Sequence, residues 1–310
     1  MRIILDCDPG VDDALAIFYL AQQHAEVVAA GTVHGNTTAE QAAVNTLRLF
    51  EMCGLDDVPV AAGARVPLAQ PLHVAANVHG DDGLGDVGVQ EPAGGPTGES
   101  AAEQLVRLAR AAPGAYDLLA IGPLTNVAVA TLLEPELPRL LRSVVVMGGA
   151  VEVPGNITPH AEANIWHDPE AADLVLGAGY DLTLIGLDVT MRAMARADWL
   201  DAVAASERPQ ARFTTRILGF YVDYYESWLG FRACAMHDPL AAAVLLDPAL
   251  ATCRETPVRV ELRGEHTRGS TVADLRPGKP GDPDDRPPVK VVLEAAVPEF
   301  LDRLRTSIAG

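Results

Sequence analysis

Lysine is almost absent from this 310-residue chain: Lys279 and Lys290 are the only two. With 42 Asp and Glu against 23 Lys and Arg, the formal net charge is −19, and no basic run exists. A nucleic-acid binder needs clustered cations to displace counterions from phosphates. Nucleic acid is therefore not an expected partner, and anionic membranes and highly phosphorylated ligands are disfavoured. An uncharged small substrate or a bound divalent cation suits the acidity better. No apolar run reaches the length of a bilayer span, so no membrane partner is expected either. The opening MRIILDCDPG has no apolar h-region and no small-residue cleavage site. The four cysteines, Cys7, Cys53, Cys234 and Cys253, are scattered without a CxxC pair, which argues against zinc ribbons and disulfide frameworks. Together these absences predict a soluble cytoplasmic protein with reduced thiols.

What is present is a 49% hydrophobic composition, enough for a large core. Strand-like and helix-like segments alternate. RIILDC (2–7) reads as a buried strand, the turn Asp8-Pro9-Gly10 follows, and residues 11–24 carry apolar positions at helical spacing. Segments 26–33, 116–122, 143–149, 181–187 and 289–295 read as further strands, and 38–53, 125–133 and 168–176 as helices. This rhythm predicts an α/β fold, a mainly parallel doubly wound sheet with helices on both faces, in a single large domain spanning 1–310. No internal repeat is visible. Residues 73–99 and 277–288 read as loops, the first as a mobile lid whose His79 reaches the substrate on closure. In such sheets ligands bind beyond the carboxyl ends of the strands.

The densest chemistry lies at one such end. DCDPGVDD places Asp6, Asp8, Asp12 and Asp13 within eight residues. Asp6 and Asp8 leave one strand on one face, because side chains alternate. Asp12 and Asp13 fall in the first turn of a helix, where exposed N–H groups favour negative charge. Any one of them alone reads plainly as a cap or turn former. Four together repel unless a cation or proton sits among them, and converging oxygens are what Ca2+ or Mg2+ requires. In CAMHDPLAAAVLL (234–246), Asp238 before Pro239 reads either as a helix cap or as a further metal ligand, with the titratable His237 beside it. Residues 155–172 are rich in Asn, Glu and His. They read as an ordinary polar loop or as groups that hold a hydroxyl-rich ligand.

DCDPGVDDALAI, AIGPLTNVA, VVVMGGA, GN–AEAN–DPEAA and HDPLAAA occur in this order, and the chain resembles the inosine-uridine nucleoside hydrolases from residue 3 to about 250. The resemblance implies Ca2+-dependent hydrolysis of the N-glycosidic bond of ribonucleosides, by a homodimer or homotetramer. Asp8, Asp13, Asp238 and the carbonyl of Ile121 would hold Ca2+. Asp12 would be the general base toward water, and His237 would protonate or polarise the leaving base. Asn36, Met147, Asn156, Glu162, Asn164 and Asp238 would surround the ribose. His79, Tyr221, Tyr225 and His237 would face the base.

The chemistry agrees. Cleaving a ribosyl C–N bond builds positive charge on the sugar, which nearby carboxylates stabilise, and attack by water implies inversion. Two departures stand out: Ala163 where the family often has an aromatic residue, and Ile121 where others have Thr or Val. A phosphatase of the haloacid dehalogenase type would also use Asp6-Cys7-Asp8, and a non-catalytic Ca2+-dependent nucleoside or ribose binder would use the same cluster. The first lacks its basic phosphate ligand here. The second has no need of Asp12. Base preference, nonspecific or pyrimidine-preferring, stays open.

Overall fold

The computed structural model describes residues 1–88, 90–276 and 286–310. The chain opens with β1 (Arg2–Cys7), α1 (Val11–Gln22), β2 (Glu26–Thr32), α2 (Ala39–Cys53) and β3 (Val60–Ala62). There follow α3 (Ala76–His79), α4 (Ala101–Ala111), β4 (Tyr116–Ala120), α5 (Thr125–Leu133), α6 (Leu137–Leu140) and β5 (Ser143–Met147). Next come α7 (Ala163–His167), α8 (Pro169–Leu176), β6 (Leu182–Ile185), α9 (Leu187–Thr190), β7 (Met194–Arg196), α10 (Ala197–Ala204), α11 (Pro209–Leu229), β8 (Ala233–Ala235) and α12 (His237–Leu246). The last elements are β9 (Ala251–Thr256), β10 (Val258–Val260), β11 (Thr271–Ala273), β12 (Val289–Ala295) and α13 (Val297–Ala309).

Eight strands form the main sheet in the order β3-β2-β1-β4-β5-β6-β12-β9. Every pair is parallel except the edge pair β12–β9. The expected doubly wound architecture is therefore present, with one antiparallel edge strand. Strand alternation explains why both faces need helices. Ile3, Leu5 and Cys7 pack into one core with residues of α1, α11, α12 and α13, whereas Ile4 packs on the other side with α4, α5 and α8. The expected loop at 277–288 lies outside the described residues over 277–285. The other expected loop is not uniform, because α3 occupies its first part and the Thr97 amide donates to the Val60 carbonyl at 2.7 Å.

The order reverses at β1, whose neighbours β2 and β4 lie on opposite sides. Connections leaving β1 and β4 therefore diverge, and a crevice opens where Asp8 and Ile121 emerge. Asp6, one residue before the strand ends, does not face that crevice. Its Oδ1 accepts a 2.8 Å hydrogen bond from Asn126 Nδ2. β1 stops at Cys7, the chain turns, and Asp6 ties β1 to α5 through that bond.

Asn126 joins three segments. Besides Asp6, its Nδ2 donates to the Thr32 carbonyl at 2.9 Å, and its Oδ1 accepts from the Ala64 amide at 2.8 Å. Asn126→Ala strands a buried carboxylate, a carbonyl and an amide. We expect a loss of about 3 kcal/mol in urea unfolding, since each orphaned buried polar group costs roughly 1–3 kcal/mol. An unchanged midpoint and slope would show that these groups find other partners.

Candidate active site

The loop after β1 folds back on α1 because Asp13 caps its own helix. Asp13 Oδ2 accepts from the Gly10 amide at 2.8 Å and Oδ1 from the Asp8 amide at 3.3 Å. Asn36, after β2, adds its Nδ2 to Asp13 Oδ2 at 3.0 Å, and its backbone amide donates to Asp8 Oδ2 at 2.7 Å. Close backbone approach is needed around Asp8: a Cβ at Gly122 would lie 2.6 Å from Asp8 Oδ1. Asp238, in the first turn of α12, completes the group. Oxygens of Asp12, Asp13 and Asp238 all lie within 4.8 Å of one another, and all three residues are buried.

These carboxylates are poorly compensated. Among the described residues no ion pair with Arg or Lys reaches them; their donors are amides, Asn36 and the Tyr221 hydroxyl. Burial, then the charge of Asp13, pushes Asp12 up to about 8, and burial pushes Asp13 up to about 6. Burial followed by neighbouring carboxylates drives Asp8 and Asp238 well above the usual range. Asp8 Oδ1 is buried with no hydrogen-bond partner at all. A hard divalent cation fits this set. It would relieve the repulsion, satisfy the bare oxygen, and find only carboxylate and carbonyl oxygens, which select Ca2+ over softer metals.

Above the cluster lies a cavity of about 590 Å³. Of the residues singled out in the sequence, Asp12, Asn36, His79, Ile121, Met147, Asn156, Glu162, Asn164, Tyr221, Tyr225, His237 and Asp238 line it. Asp8 and Asp13 lie behind this lining. The hydrogen bonds refine several expectations. Glu162 accepts from the amides of Gly149, Asn164 and Ile165 at 2.9, 2.8 and 3.1 Å, so its carboxylate first fixes the β5–α7 connection. The Ile121 carbonyl accepts Asn164 Nδ2 at 3.0 Å, which uses one of its two lone pairs. His79 stands at the cavity in this conformation. Its Nδ1 accepts from the Val11 amide at 3.1 Å and its ring stacks on Tyr221, with centroids 5.2 Å apart. Ala163 also lines the cavity, without the aromatic side chain the family often carries there.

His237 differs most from expectation. Its Nε2 is 2.8 Å from the Tyr225 hydroxyl and its Nδ1 is 2.8 Å from the Thr190 hydroxyl. Both nitrogens are occupied, and burial lowers its pKa to about 4. An imidazole titrating near neutrality is thus replaced by a neutral ring held between two hydroxyls. Thr190 lies 47 residues away and no local pattern marks it. Other lining residues that the sequence analysis left unplaced include Asn77, Met191, Tyr224 and Trp228. The aromatic spacing of YVDYYESW (221–228) at i, i+3, i+4 and i+7 was a usable signal for the last two. Trp166 packs instead on His73 and His167.

The family model of the inosine-uridine preferring nucleoside hydrolases matches residues 3–302. The chain belongs to this family. It is therefore an enzyme, a hydrolase of the N-glycosidic bond of ribonucleosides. A pyrimidine-specific ribonucleoside hydrolase RihA of Shewanella woodyi is 41% identical over 275 residues, 88% of each chain. Two solved structures share the fold over nearly their whole lengths. The plant nucleoside hydrolase PpNRh1 has a TM-score of 0.95 at 32% identity, covering 100% of this chain and 99% of that one. A purine-preferring ribonucleoside hydrolase from Gardnerella vaginalis has a TM-score of 0.92 at 32% identity, covering 99% and 98%. Among the described residues no helix is long and apolar enough to cross a membrane.

The raised carboxylate values fix the sign of a stability test. A group whose pKa is higher folded than unfolded binds more protons in the native state, so stability falls as pH rises between the two values. For Asp12 and Asp13 that window runs from the ordinary carboxylate value of 3.8 toward about 8 and about 6 respectively. Chelator-treated protein should melt at lower temperature at pH 8 than at pH 5.5, and added Ca2+ should raise Tm more at pH 8. A Ca2+ shift that is equal at both pH values would contradict the repulsion described.

Proposed function

We propose that the enzyme is Ca2+-dependent and hydrolyses both inosine and uridine to ribose and free base, with inversion at the anomeric carbon. The supporting observation is the pairing of a buried Asp cluster with an aromatic cavity end. Around the expected base end stand His79, Tyr221, Tyr224, Tyr225, Met191 and Trp228. Stacking on aromatic faces is tolerant of base identity, because every base has a π-face. A pyrimidine-preferring enzyme is the second reading, favoured by the 41% identity to a pyrimidine-specific relative.

Asp8, Asp13, Asp238 and the Ile121 carbonyl would hold Ca2+, which supplies Lewis acidity and fixed positive charge when bound. Asp12 is the general base. It lines the cavity, burial and Asp13 raise its proton affinity toward neutral pH, and the Tyr221 hydroxyl and Asp238 amide hold it in place. It takes a proton from water attacking the anomeric carbon on the face opposite the base. As the C–N bond breaks, its electron pair goes to the base and positive charge grows on the sugar, where the carboxylates stabilise it. Asn36, Met147, Asn156, Glu162 and Asn164 surround the ribose. The base needs a hydrogen-bond donor as it leaves. We assign that donor to the Tyr225 hydroxyl, which is free to donate when His237 carries its proton on Nε2 and the Thr190 hydroxyl donates to Nδ1.

A reducing-sugar assay on uridine, cytidine, inosine, adenosine and guanosine, with and without chelator, tests the reading. Turnover of uridine and inosine within tenfold of each other, lost with chelator and restored by Ca2+, is expected. Pyrimidine turnover alone would favour the second reading, and release of ribose from none would defeat both. Asp12→Ala should lower kcat by roughly two to four orders of magnitude while the Ca2+ content stays at that of wild type. Loss of metal equal to that in Asp8→Ala would reassign it as a ligand. Tyr225→Phe should slow inosine and uridine much more than p-nitrophenyl riboside, whose leaving group needs no donor. Equal losses on all three would leave Tyr225 with a packing role only.

A further inference from the structure

We infer that His34 and Thr125 are positioning residues for the cation site: their buried hydrogen bond closes a clamp around Asp8 and raises the affinity for Ca2+. The inference rests on the metal reading above. It adds two residues that give the ion no ligand atom and act through Asp8 and Ile121.

Asp8 lies between two loops. One follows β2 and runs through His34, Gly35 and Asn36. The other follows β4 and runs through Ile121, Gly122 and Pro123 to Thr125, where α5 begins. Neither glycine leaves room for a side chain. A Cβ at Gly35 would collide with Asp8 Oδ2, and one at Gly122 would lie 2.6 Å from Asp8 Oδ1. The loops thus press on the carboxylate from the sides of its two oxygens. The Asn36 amide takes Oδ2 at 2.7 Å, which leaves Oδ1 bare. Ile121 contributes its carbonyl from the second loop. The spacing of the two loops therefore sets the spacing of two of the proposed ligands.

A side-chain bond joins the loops: His34 Nε2 is 3.1 Å from Thr125 Oγ1. Asn126, next to Thr125, ties α5 to the Thr32 carbonyl at the end of β2, whereas His34 ties it to the loop itself. A hydroxyl has one proton, and Asp168 Oδ2 stands 2.7 Å from Thr125 Oγ1. Thr125 therefore donates to Asp168 and accepts from His34 Nε2. Asp168 is a fixed anchor, because it also takes the Leu68 amide at 2.9 Å and the Ala171 amide at 3.1 Å, capping α8. All three members of this chain are buried. Burial, then the neighbouring His167, lowers His34 to about 4, so its ring is neutral, and its Nδ1 has no partner. A buried bare nitrogen costs free energy. An apolar side chain would fill the space without that cost, so packing alone does not account for a histidine, and the bond to Thr125 does.

Groups that orient metal ligands without touching the metal are worth roughly 10–100-fold in metal affinity. The test measures Ca2+ affinity directly, by titrating chelator-stripped protein in Ca2+ buffers without substrate, beside urea unfolding of the stripped protein. Thr125→Val keeps the shape and removes both bonds, so Ca2+ affinity should fall roughly 10–100-fold. Thr125→Ser keeps the hydroxyl and should stay within about threefold of wild type, well inside that range. His34→Leu leaves the Thr125–Asp168 bond in place and should weaken Ca2+ by roughly tenfold; it decides the matter if Thr125→Val does not fold. Lower urea stability with unchanged Ca2+ affinity in Thr125→Val and His34→Leu would overturn the inference and leave the chain a structural tie. So would a loss in Thr125→Ser equal to that in Thr125→Val, since the hydroxyl would then not matter. Wild type that takes up no Ca2+ would defeat the metal reading itself, and the inference with it, whereas uptake by wild type and variants alike would overturn the inference alone.

Discussion

Asp8, Asp12, Asp13 and Asp238 share one buried volume with no arginine or lysine to balance them among the described residues, and their mutual repulsion is what the surrounding structure is built to contain. Containment comes from oriented dipoles rather than charges. Asp13 takes the amides of Asp8 and Gly10, Asp8 takes the amide of Asn36, and Asp12 and Asp238 sit in first turns of α1 and α12, where helix N–H groups face them. This arrangement lowers the cost of crowding without removing it, and it leaves Asp8 Oδ1 without a partner. A lysine in the group would have neutralised the repulsion and closed the site to a cation.

The fold supplies the place where such crowding is possible. At the reversal beside β1, connections diverge and leave a crevice that neither helix layer fills. Four separate segments then bring carboxylates and amides to one point: the β1–α1 turn, the β2–α2 connection, the residues after β4, and the start of α12. Glycine at 122 keeps the β4 connection close to Asp8, since a side chain there would meet its Oδ1. The same crevice receives α11 from the side, and its aromatic stripe becomes one wall of the cavity. A polar floor with an aromatic wall suits a molecule with a hydroxyl-rich end and a flat end, which is what a ribonucleoside is.

Secondary bonding within the wall divides labour differently from what residue types suggest. A histidine beside a metal ligand invites an acid role, yet the hydroxyls of Thr190 and Tyr225 stand 2.8 Å from its two nitrogens, so the ring meets its surroundings through them. Glu162 invites a sugar contact, yet three backbone amides claim it, so its firm contribution is to hold the connection that carries Asn156 and Asn164. Neither residue loses importance. Each acts by fixing a neighbour.

Much of this was legible in the sequence. Alternating apolar segments encode strand and helix locally, so the parallel sheet and its two helix layers could be read from periodicity. The aspartates of DCDPGVDD lie within eight residues, so their crowding after a strand was visible too, and Asp238 before Pro239 read as a cap or a further ligand, between which the resemblance to the nucleoside hydrolases chose. What tertiary structure decided depends on contacts that no local pattern encodes. Asp6 is drawn out of the cluster by Asn126, 120 residues away. His237 has the Thr190 hydroxyl at its Nδ1, a partner that nothing in the sequence singles out, and Trp228 gains its place only because α11 packs with its aromatic stripe against the crevice. Residue type and spacing fix which groups are near a strand end. Which of them keep a free lone pair, a free proton or an open face is settled by partners arriving from distant segments, because each buried donor or acceptor is committed to whichever partner reaches it in the folded chain.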